Sequence, residues 1–288
     1  MPGGSMTVPI TDGARGTVVP FRPAPLLALL RAAHAGPTAA VTALATAVAW
    51  ASGAAPGRVA LVAAAVLTGQ LSIGWSNDLL DLARDRTVGR TDKPLVTGEV
   101  SARWVRTACA LAVVATVVLS LACGVPAGLW HLLVVASGWA YNLGLKATIW
   151  SWAPYAVAFG ALPVFAVLAR PGAAAPQWWL PAGGALLGVG AHLVNVLPDL
   201  DDDAATGVRG FPHRLGPTRA QGLAVVVLGV ASVVVAGGAV TVALPVRVGA
   251  LVLVAVLALV AWRGNGRVPF LAAIGIAAVD VLMLVISR

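Results

Sequence analysis

Charged side chains are scarce in this sequence. They make up 10% of its 288 residues, whereas an average soluble domain contains about 25%. Hydrophobic residues make up 59% of the chain. This composition excludes an ordinary soluble protein and indicates an integral membrane protein.

Cysteine and histidine are also scarce, which makes several kinds of site unfavourable. Cys109 and Cys123 lie in or at the end of one apolar segment, where cysteine commonly behaves as a small buried residue. The four histidines show neither zinc-ligand spacing nor a His/Glu arrangement of the hydrolase type. The sequence therefore indicates neither a redox site nor a zinc site.

The first 25 residues lack the apolar stretch of a secretory signal peptide. They contain Pro, Gly and Arg and are predicted to form a disordered cytoplasmic tail, residues 1–25. The formal net charge of the whole chain is +8. In a membrane protein such an excess is typical of cytoplasmic loops, so we expect no nucleic-acid partner.

Apolar segments of spanning length, about 20 residues each, fill the remainder of the chain. They predict an all-α polytopic membrane protein with about nine transmembrane helices in one domain, residues 26–288. The predicted spans are 35–52, 59–77, 104–123, 127–143, 150–169, 178–198, 220–240, 243–262 and 268–286. Only two polar loops of real length remain, 78–103 and 199–219.

The acidic residues are concentrated in these two loops. Of the 11 acidic residues in the chain, nine lie there: Asp78, Asp81, Asp85, Asp92, Glu99, Asp199, Asp201, Asp202 and Asp203. A scattered surface charge does not explain such a concentration. Carboxylates inside or at the edge of a membrane are costly and usually functional.

The first acidic segment has helical spacing. Asn77, Asp81 and Asp85 are at i, i+4 and i+8, so on a helix they line one face over about 12 Å. Like charges on one face repel each other, and a bound cation would reverse that effect. Carboxylate and amide oxygens are the ligands that Mg²⁺ prefers, together with substrate phosphates.

Asp199 and Asp203 repeat the i, i+4 spacing in the second acidic segment. Two such segments facing each other would hold two divalent cations with a diphosphate between them. The predicted metal ligands are Asn77, Asp81, Asp85, Asp199 and Asp203, and the four aspartates are also the predicted catalytic residues. Lys93 and Lys146 are the best candidates for diphosphate contact, and Arg209 is a further one.

The simpler interpretations place these groups in ordinary structural roles. The first acidic segment could be a solvated loop paired with Arg84 and Arg86, and the second a polar helix end. Lys146 could extend from a helix end to the membrane interface, and Arg209 could serve only to orient the loops.

The basic residues predict the orientation of the chain. With nine spans and an N-terminus inside the cell, only Arg58, Arg170, Arg247 and Arg288 lie outside, which leaves 15 of the 19 basic residues inside. Cytoplasmic loops are enriched in lysine and arginine. This bias predicts a multi-pass protein of the cell membrane with its N-terminus and both acidic loops in the cytoplasm.

These residues resemble the signatures of the UbiA family of intramembrane prenyltransferases. The first signature is represented by Asn77, Asp78, Asp81 and Asp85, followed by Lys93, Pro94 and Gly98. The second is represented by Asp199, Asp203, Gly207, Pro212, Leu215 and Gly216. Tyr141 followed by Lys146, between the two signatures, is also similar to the family, and so in part are Arg31 and Pro37 near the first helix.

The resemblance implies a helical bundle with a central cavity open to lipid. It also implies Mg²⁺-dependent transfer of a prenyl group from a prenyl diphosphate to an aromatic or quinone-precursor acceptor, with Arg31 and Tyr141 in substrate binding. Two alternatives stay open: a UbiA-type terpene cyclase, and a transporter that binds a cation. Transporter carboxylates usually lie near mid-membrane, whereas these lie at helix ends. The sequence gives no oligomeric state.

Overall fold

The computed structural model describes residues 25–286, and the tail predicted at 1–25 lies outside them apart from Pro25. The described chain contains thirteen α-helices and no strand. The helices are α1 (Pro25–Arg31), α2 (Ala35–Ala51), α3 (Pro56–Thr87), α4 (Pro94–Thr97), α5 (Ala102–Ala122), α6 (Val125–Leu143), α7 (Ala153–Leu168), α8 (Trp179–Val196), α9 (Leu200–Ala205), α10 (Phe211–Leu215), α11 (Pro217–Gly238), α12 (Leu244–Arg263) and α13 (Val268–Ile286).

Nine long helices of the described chain form a closed ring. Each packs against the next in the order α2, α3, α5, α6, α7, α8, α11, α12 and α13, and α13 packs against α2. Their positions agree with the nine predicted spans. Of the short helices, α1 precedes α2, α4 lies between α3 and α5, and α9 and α10 lie between α8 and α11.

Five helical segments of the described chain have the length and apolar composition to cross a membrane. They are Pro56–Thr87, Ala102–Ala122, Trp179–Asp199, Pro217–Gly238 and Leu244–Arg263. Ala35–Ala51, Ala153–Leu168 and Val268–Met283 are shorter apolar helices. Large apolar side chains such as Val114, Val233 and Val252 lie exposed on the outside of the bundle, as expected where lipid replaces water as the solvent.

Glycines on α8 allow it to approach α7 closely. A Cβ atom on Gly184 would lie 2.4 Å from the carbonyl oxygen of Phe159, and one on Gly188 would lie 2.4 Å from that of Tyr155. Small residues at such crossings let membrane helices pack backbone to backbone. This contact fixes Tyr155 and the polar end of α8 relative to each other.

Helix α3 is longer than its predicted span. The sequence suggested a span over 59–77 followed by a polar loop from 78, but the helix continues without a break to Thr87. Arg84 and Arg86 lie in its last turn, where basic side chains stabilise the negative end of the helix dipole. The first acidic segment is therefore helical, and its i, i+4, i+8 spacing is realised on one rigid element.

Helix α1 and its connection to α2 both lie against α3. The indole nitrogen of Trp75 donates to the carbonyl oxygen of Leu29 at 2.9 Å. A Cβ atom on Gly74 would lie only 2.5 Å from the carbonyl oxygen of Ala33, so glycine is required for this approach. The contact brings Arg31 and His34 next to the acidic end of α3.

Candidate functional site

The side chains of Asn77, Asp81 and Asp85 follow one another along the end of α3 and are called the acidic ladder below. The amide nitrogen of Asn77 donates to Asp81 Oδ2 at 3.1 Å and to Asn142 Oδ1 at 3.2 Å. Asn142, on α6, in turn donates to Ser76 Oγ at 2.9 Å. Asp81 and Asp85 are both buried. The sequence did not single out Asn142, although it directly follows Tyr141 of the family-like pair.

Lys93 pairs with two buried carboxylates on the last turns of α3. Its Nζ lies 2.9 Å from Asp78 Oδ1 and 2.8 Å from Asp85 Oδ2. Burial alone would lower the pKa of Lys93, but the two carboxylates outweigh burial and hold the pKa above its ordinary value. Lys93 therefore stays charged at neutral pH and presents a fixed positive charge at the end of α3.

His34 approaches the same carboxylate from the α1–α2 connection. Its Nε2 lies 3.1 Å from Asp78 Oδ1. The backbone of His34 adopts a left-handed conformation with φ of 54°, which is uncommon for a residue other than glycine. Strained backbone of this kind often occurs at functional sites, and here it turns the imidazole towards α3.

Lys146 neutralises the middle carboxylate of the ladder. Its Nζ lies 2.7 Å from Asp81 Oδ2. Burial lowers the pKa of Lys146 below its ordinary value, and Asp81 only partly opposes this effect. The two lysines predicted to contact diphosphate therefore both lie at the acidic ladder, with pKa values shifted in opposite directions.

The second acidic segment meets the first one through two arginines. Arg84 Nη1 lies 3.7 Å from Asp203 Oδ1, and Arg90 Nη1 lies 3.6 Å from Asp199 Oδ1. Burial raises the pKa of Asp203, although Arg84 opposes the shift. The juxtaposition of the two segments, expected from their spacing and common side, is thus found in the fold.

All these groups except Asp85, which is buried against Lys93, lie at one end of a cavity of about 930 Å³. The polar end is lined by Asn77, Asp78, Asp81, Arg84, Lys93, Lys146, Asp199 and Asp203. The walls beyond it are apolar and are provided by residues such as Leu44, Phe159, Leu162, Leu187 and Phe270. Such a space suits a ligand with an anionic head and a long hydrocarbon tail.

Of the remaining residues predicted for the site, two line the cavity and one does not. Tyr141 lines the cavity, and its ring meets those of Tyr155 and His192 edge to face, with centroids 5.3 Å and 5.7 Å away. Arg31 also lines the cavity and pairs with Glu99 at 2.8 Å. Arg209 is exposed and is not among the cavity-lining residues of the described chain. Its assignment to diphosphate stays a prediction.

A buried hydrogen-bond junction around Ser151 was not predicted from the sequence. Ser151 Oγ accepts from the backbone N–H of Phe211 at 2.9 Å and lies 3.0 Å from His192 Nε2. The junction joins α8 and the start of α10 to the Lys146 loop, residues 144–152 between α6 and α7. The position of His192 within an apolar helix was the one indication in the sequence, but it is equally typical of a structural residue.

The oxygen donors of this end fit a hard divalent cation. Among the described residues, no three His, Cys, Asp or Glu side chains already form a metal-binding group. The carboxylates are instead paired with lysine and arginine. They nevertheless supply carboxylate and amide oxygens from two sides of one cavity, which is the donor chemistry that Mg²⁺ takes. The metal ligand set stays a prediction.

The fold and this cavity define a class of protein. It is an all-α, multi-pass membrane protein with an apolar cavity, one end of which is lined by acidic and basic side chains. The sequence matches the UbiA prenyltransferase family over residues 38–274. The chain belongs to this family, as the resemblance of its motifs predicted.

One relative resembles the chain in sequence, and two solved structures share its fold. The 33 kDa chain of bacteriochlorophyll synthase from Cereibacter sphaeroides is 35% identical over 185 residues, which are 59% of this chain and 59% of that protein's own length. The apo structure of a UbiA homolog from Aeropyrum pernix K1 matches with a TM-score of 0.71 and 20% identity, over 86% of this chain and 97% of that one. A UbiA homolog from Archaeoglobus fulgidus bound to GPP and Mg²⁺ matches with a TM-score of 0.68 and 19% identity, over 91% and 100%. At these identities the two structures support the fold alone.

Proposed function

We propose that this chain is a Mg²⁺-dependent intramembrane prenyltransferase. It moves a prenyl group from a prenyl diphosphate to an aromatic or quinone-precursor acceptor. The observation that carries the proposal is the convergence of two acidic segments and two lysines at one end of an apolar cavity of about 930 Å³. The head of the donor fits the charged end and its tail fits the apolar walls.

Each group at the charged end has a role in this reaction. Asn77, Asp81, Asp85, Asp199 and Asp203 would hold Mg²⁺, whose charge neutralises the departing diphosphate. Lys93 and Lys146 contact the diphosphate oxygens as compact charges. The carbon–oxygen bond of the donor breaks, the diphosphate keeps the electron pair, and an acceptor carbon that later loses a proton attacks the allylic cation.

The apolar walls protect that cation from water. Tyr141 lies where its ring faces the cavity beside Tyr155 and His192. An aromatic face stabilises a nearby cation by about 0.5–2 kcal/mol, so Tyr141 is suited to the substrate role that the resemblance implied. Arg31 at the α1–α2 connection is suited to an anionic group of the acceptor.

The names of the relatives support this chemistry. One is a bacteriochlorophyll synthase, and UbiA homologs with the same fold have been solved with GPP or DMAPP together with Mg²⁺. The acceptor panel for an assay therefore includes aromatic acids, quinone precursors and bacteriochlorophyll precursors. The donor panel begins with DMAPP and GPP and extends to longer chains.

The test is an activity assay with purified protein in detergent. Diphosphate release is measured with Mg²⁺ and each donor, with and without each acceptor, and the lipid products are identified by mass spectrometry. We expect release coupled to a prenylated acceptor, with complete loss in excess EDTA and recovery on adding Mg²⁺. Activity that persists in excess chelator contradicts the metal mechanism, and a cyclised product formed without acceptor supports the cyclase alternative.

The orientation of the chain is a further part of the proposal. The acidic loops and the N-terminus face the cytoplasm, because this orientation puts most of the basic residues on the cytoplasmic side. Single cysteines at Thr91 and Ala205, in a background lacking Cys109 and Cys123, report the orientation. Labelling of either site in intact cells by an impermeant thiol reagent would contradict it.

A further inference from the structure

Arg84 lies between the two acidic segments. It is in the last turns of α3, and its Nη2 is 2.9 Å from Asp81 Oδ2 and 3.7 Å from Asp85 Oδ1. Its other terminal nitrogen, Nη1, lies 3.7 Å from Asp203 Oδ1. The side chain is 23% exposed and lines the cavity. Its guanidinium therefore occupies the gap that a ligand shared by both segments would enter.

Most of the hydrogen-bonding capacity of Arg84 is unused by the side chains that the structure describes. A guanidinium carries five N–H donors, and the contact to Asp81 is its one hydrogen bond to them. A separation of 3.7 Å from Asp203 is beyond the 2.7–3.2 Å of an ordinary N–H···O bond. Arg90, by contrast, donates from Nε and Nη2 to Asp92 at 2.9 Å and 3.0 Å.

Neutralising Asp81 does not require Arg84. Lys146 already lies 2.7 Å from the same carboxylate oxygen that Arg84 contacts. A second cation at this carboxylate, with unused donors facing the cavity, indicates an anionic ligand. The planar guanidinium matches the paired oxygens of a phosphate group.

We propose that Arg84 is a diphosphate-binding residue that holds the leaving group between the two acidic segments. The inference rests on the proposed function, because the anion is the diphosphate of the prenyl donor. It adds Arg84 to Lys93 and Lys146 as a contact of the leaving group. Because Nη1 faces Asp203, the bound diphosphate also joins the second segment to the first.

The test measures binding of inorganic diphosphate to the full-length protein, without turnover. Isothermal titration in detergent with Mg²⁺ compares the wild type with Arg84→Gln, Arg84→Lys and Arg86→Gln. Arg86 is the matched control, because it lies two residues away on the same helix, is exposed and does not line the cavity. Size-exclusion profiles and thermal unfolding establish that each variant is folded.

We expect the Kd of diphosphate to rise about 10- to 100-fold in Arg84→Gln, the range for loss of a charge-assisted contact. Arg84→Lys should recover part of the loss, and Arg86→Gln should stay within about twofold of the wild type. In the assay, Arg84→Gln should raise the KM of the donor and leave that of the acceptor unchanged. If Arg84 only joined the two acidic segments, its replacement would not change the KM of the donor selectively.

The outcomes separate this inference from the proposed function. A wild-type protein that does not bind diphosphate with Mg²⁺ contradicts both. A wild-type protein that binds it, with Arg84→Gln within twofold, contradicts only the assignment of Arg84. Should Arg84→Gln not fold, the folded Arg84→Lys variant decides, since unchanged binding there overturns the assignment and a loss of about threefold or more supports it.

Discussion

The two acidic segments face the same cavity but are held in different ways. Asp81 and Asp85 lie on one 32-residue helix with side chains only 7% and 2% exposed, paired with lysines at 2.5 Å and 2.8 Å. Asp199 and Asp203 lie on a 3₁₀ turn and a six-residue helix. Their side chains are 47% and 21% exposed, and the arginines that approach them are 3.6 Å and 3.7 Å away.

This difference indicates a division of roles. Buried carboxylates have lost most of their hydration, so each depends on a fixed cation and its position is well determined. Partly exposed carboxylates with distant partners retain water and can change partners at small cost. We infer that the first segment is preorganised for its ligand, whereas the second completes the site when the ligand binds.

Removing Asp81 should have the largest effect. The variant Asp81→Ala leaves Lys146 and Arg84 without a carboxylate that both contact, and it removes a proposed metal ligand. We expect turnover to fall by about a thousandfold, which corresponds to about 4 kcal/mol in activation free energy. The measurement is steady-state diphosphate release, with the isosteric Asp81→Asn as a control for the loss of volume. A fall of less than tenfold would show that Asp81 is not a ligand.

Removing Asp203 should also inactivate the protein, but by a smaller factor. Asp203→Ala breaks contacts of 3.7 Å to Arg84 and His213 at a partly solvated position. We expect a loss of about a hundredfold in turnover and little change in thermal unfolding, because exposed pairs contribute about 0–1 kcal/mol to stability. A loss equal to that of Asp81→Ala would remove the proposed difference between the segments.

Removing Lys146 should weaken donor binding more than acceptor binding. A charge-assisted contact contributes about 1.5–3 kcal/mol, so in Lys146→Ala the donor KM should rise, or turnover should fall, by about 10- to 100-fold. Lys146→Arg should recover only part, since the guanidinium is larger and planar. Donor kinetics within twofold of the wild type would instead favour a lysine that only anchors a helix end, with Lys93 as the main phosphate contact.

The helices and the first segment were predictable because they depend on local patterns. Nine apolar runs gave nine long helices at the expected places, and the i, i+4, i+8 spacing placed Asn77, Asp81 and Asp85 on one face. The partners of these side chains depend on tertiary contacts between distant segments. Asn142 meets Asn77 across 65 residues of sequence, and neither its type nor its spacing indicates that contact.

The contacts that flank the second segment could not be predicted for the same reason. Ser151, a single small polar residue in the Lys146 loop, joins α8 to the start of α10, and these two helices flank the second acidic segment in the chain. Serine is common in loops and carries no signal of its own in the sequence. The left-handed backbone of His34 is similarly a consequence of packing against α3, and a lone histidine gives no indication of it.

The smallest effect that we predict comes from removing the hydroxyl of Ser151. Ser151 is fully buried, and Ser151→Ala leaves the backbone N–H of Phe211 without its acceptor. An unsatisfied buried group costs about 1–3 kcal/mol, of which only the part that displaces α10 and the Lys146 loop affects the site. We expect a donor KM about threefold higher and a slightly lower unfolding temperature.

Ser137→Ala is the matched control. Among the described residues, that buried hydroxyl donates only to the carbonyl oxygen of Leu133 in its own helix. If both variants change donor KM alike, the effect belongs to buried serines in general, and the second segment does not depend on Ser151 for its position.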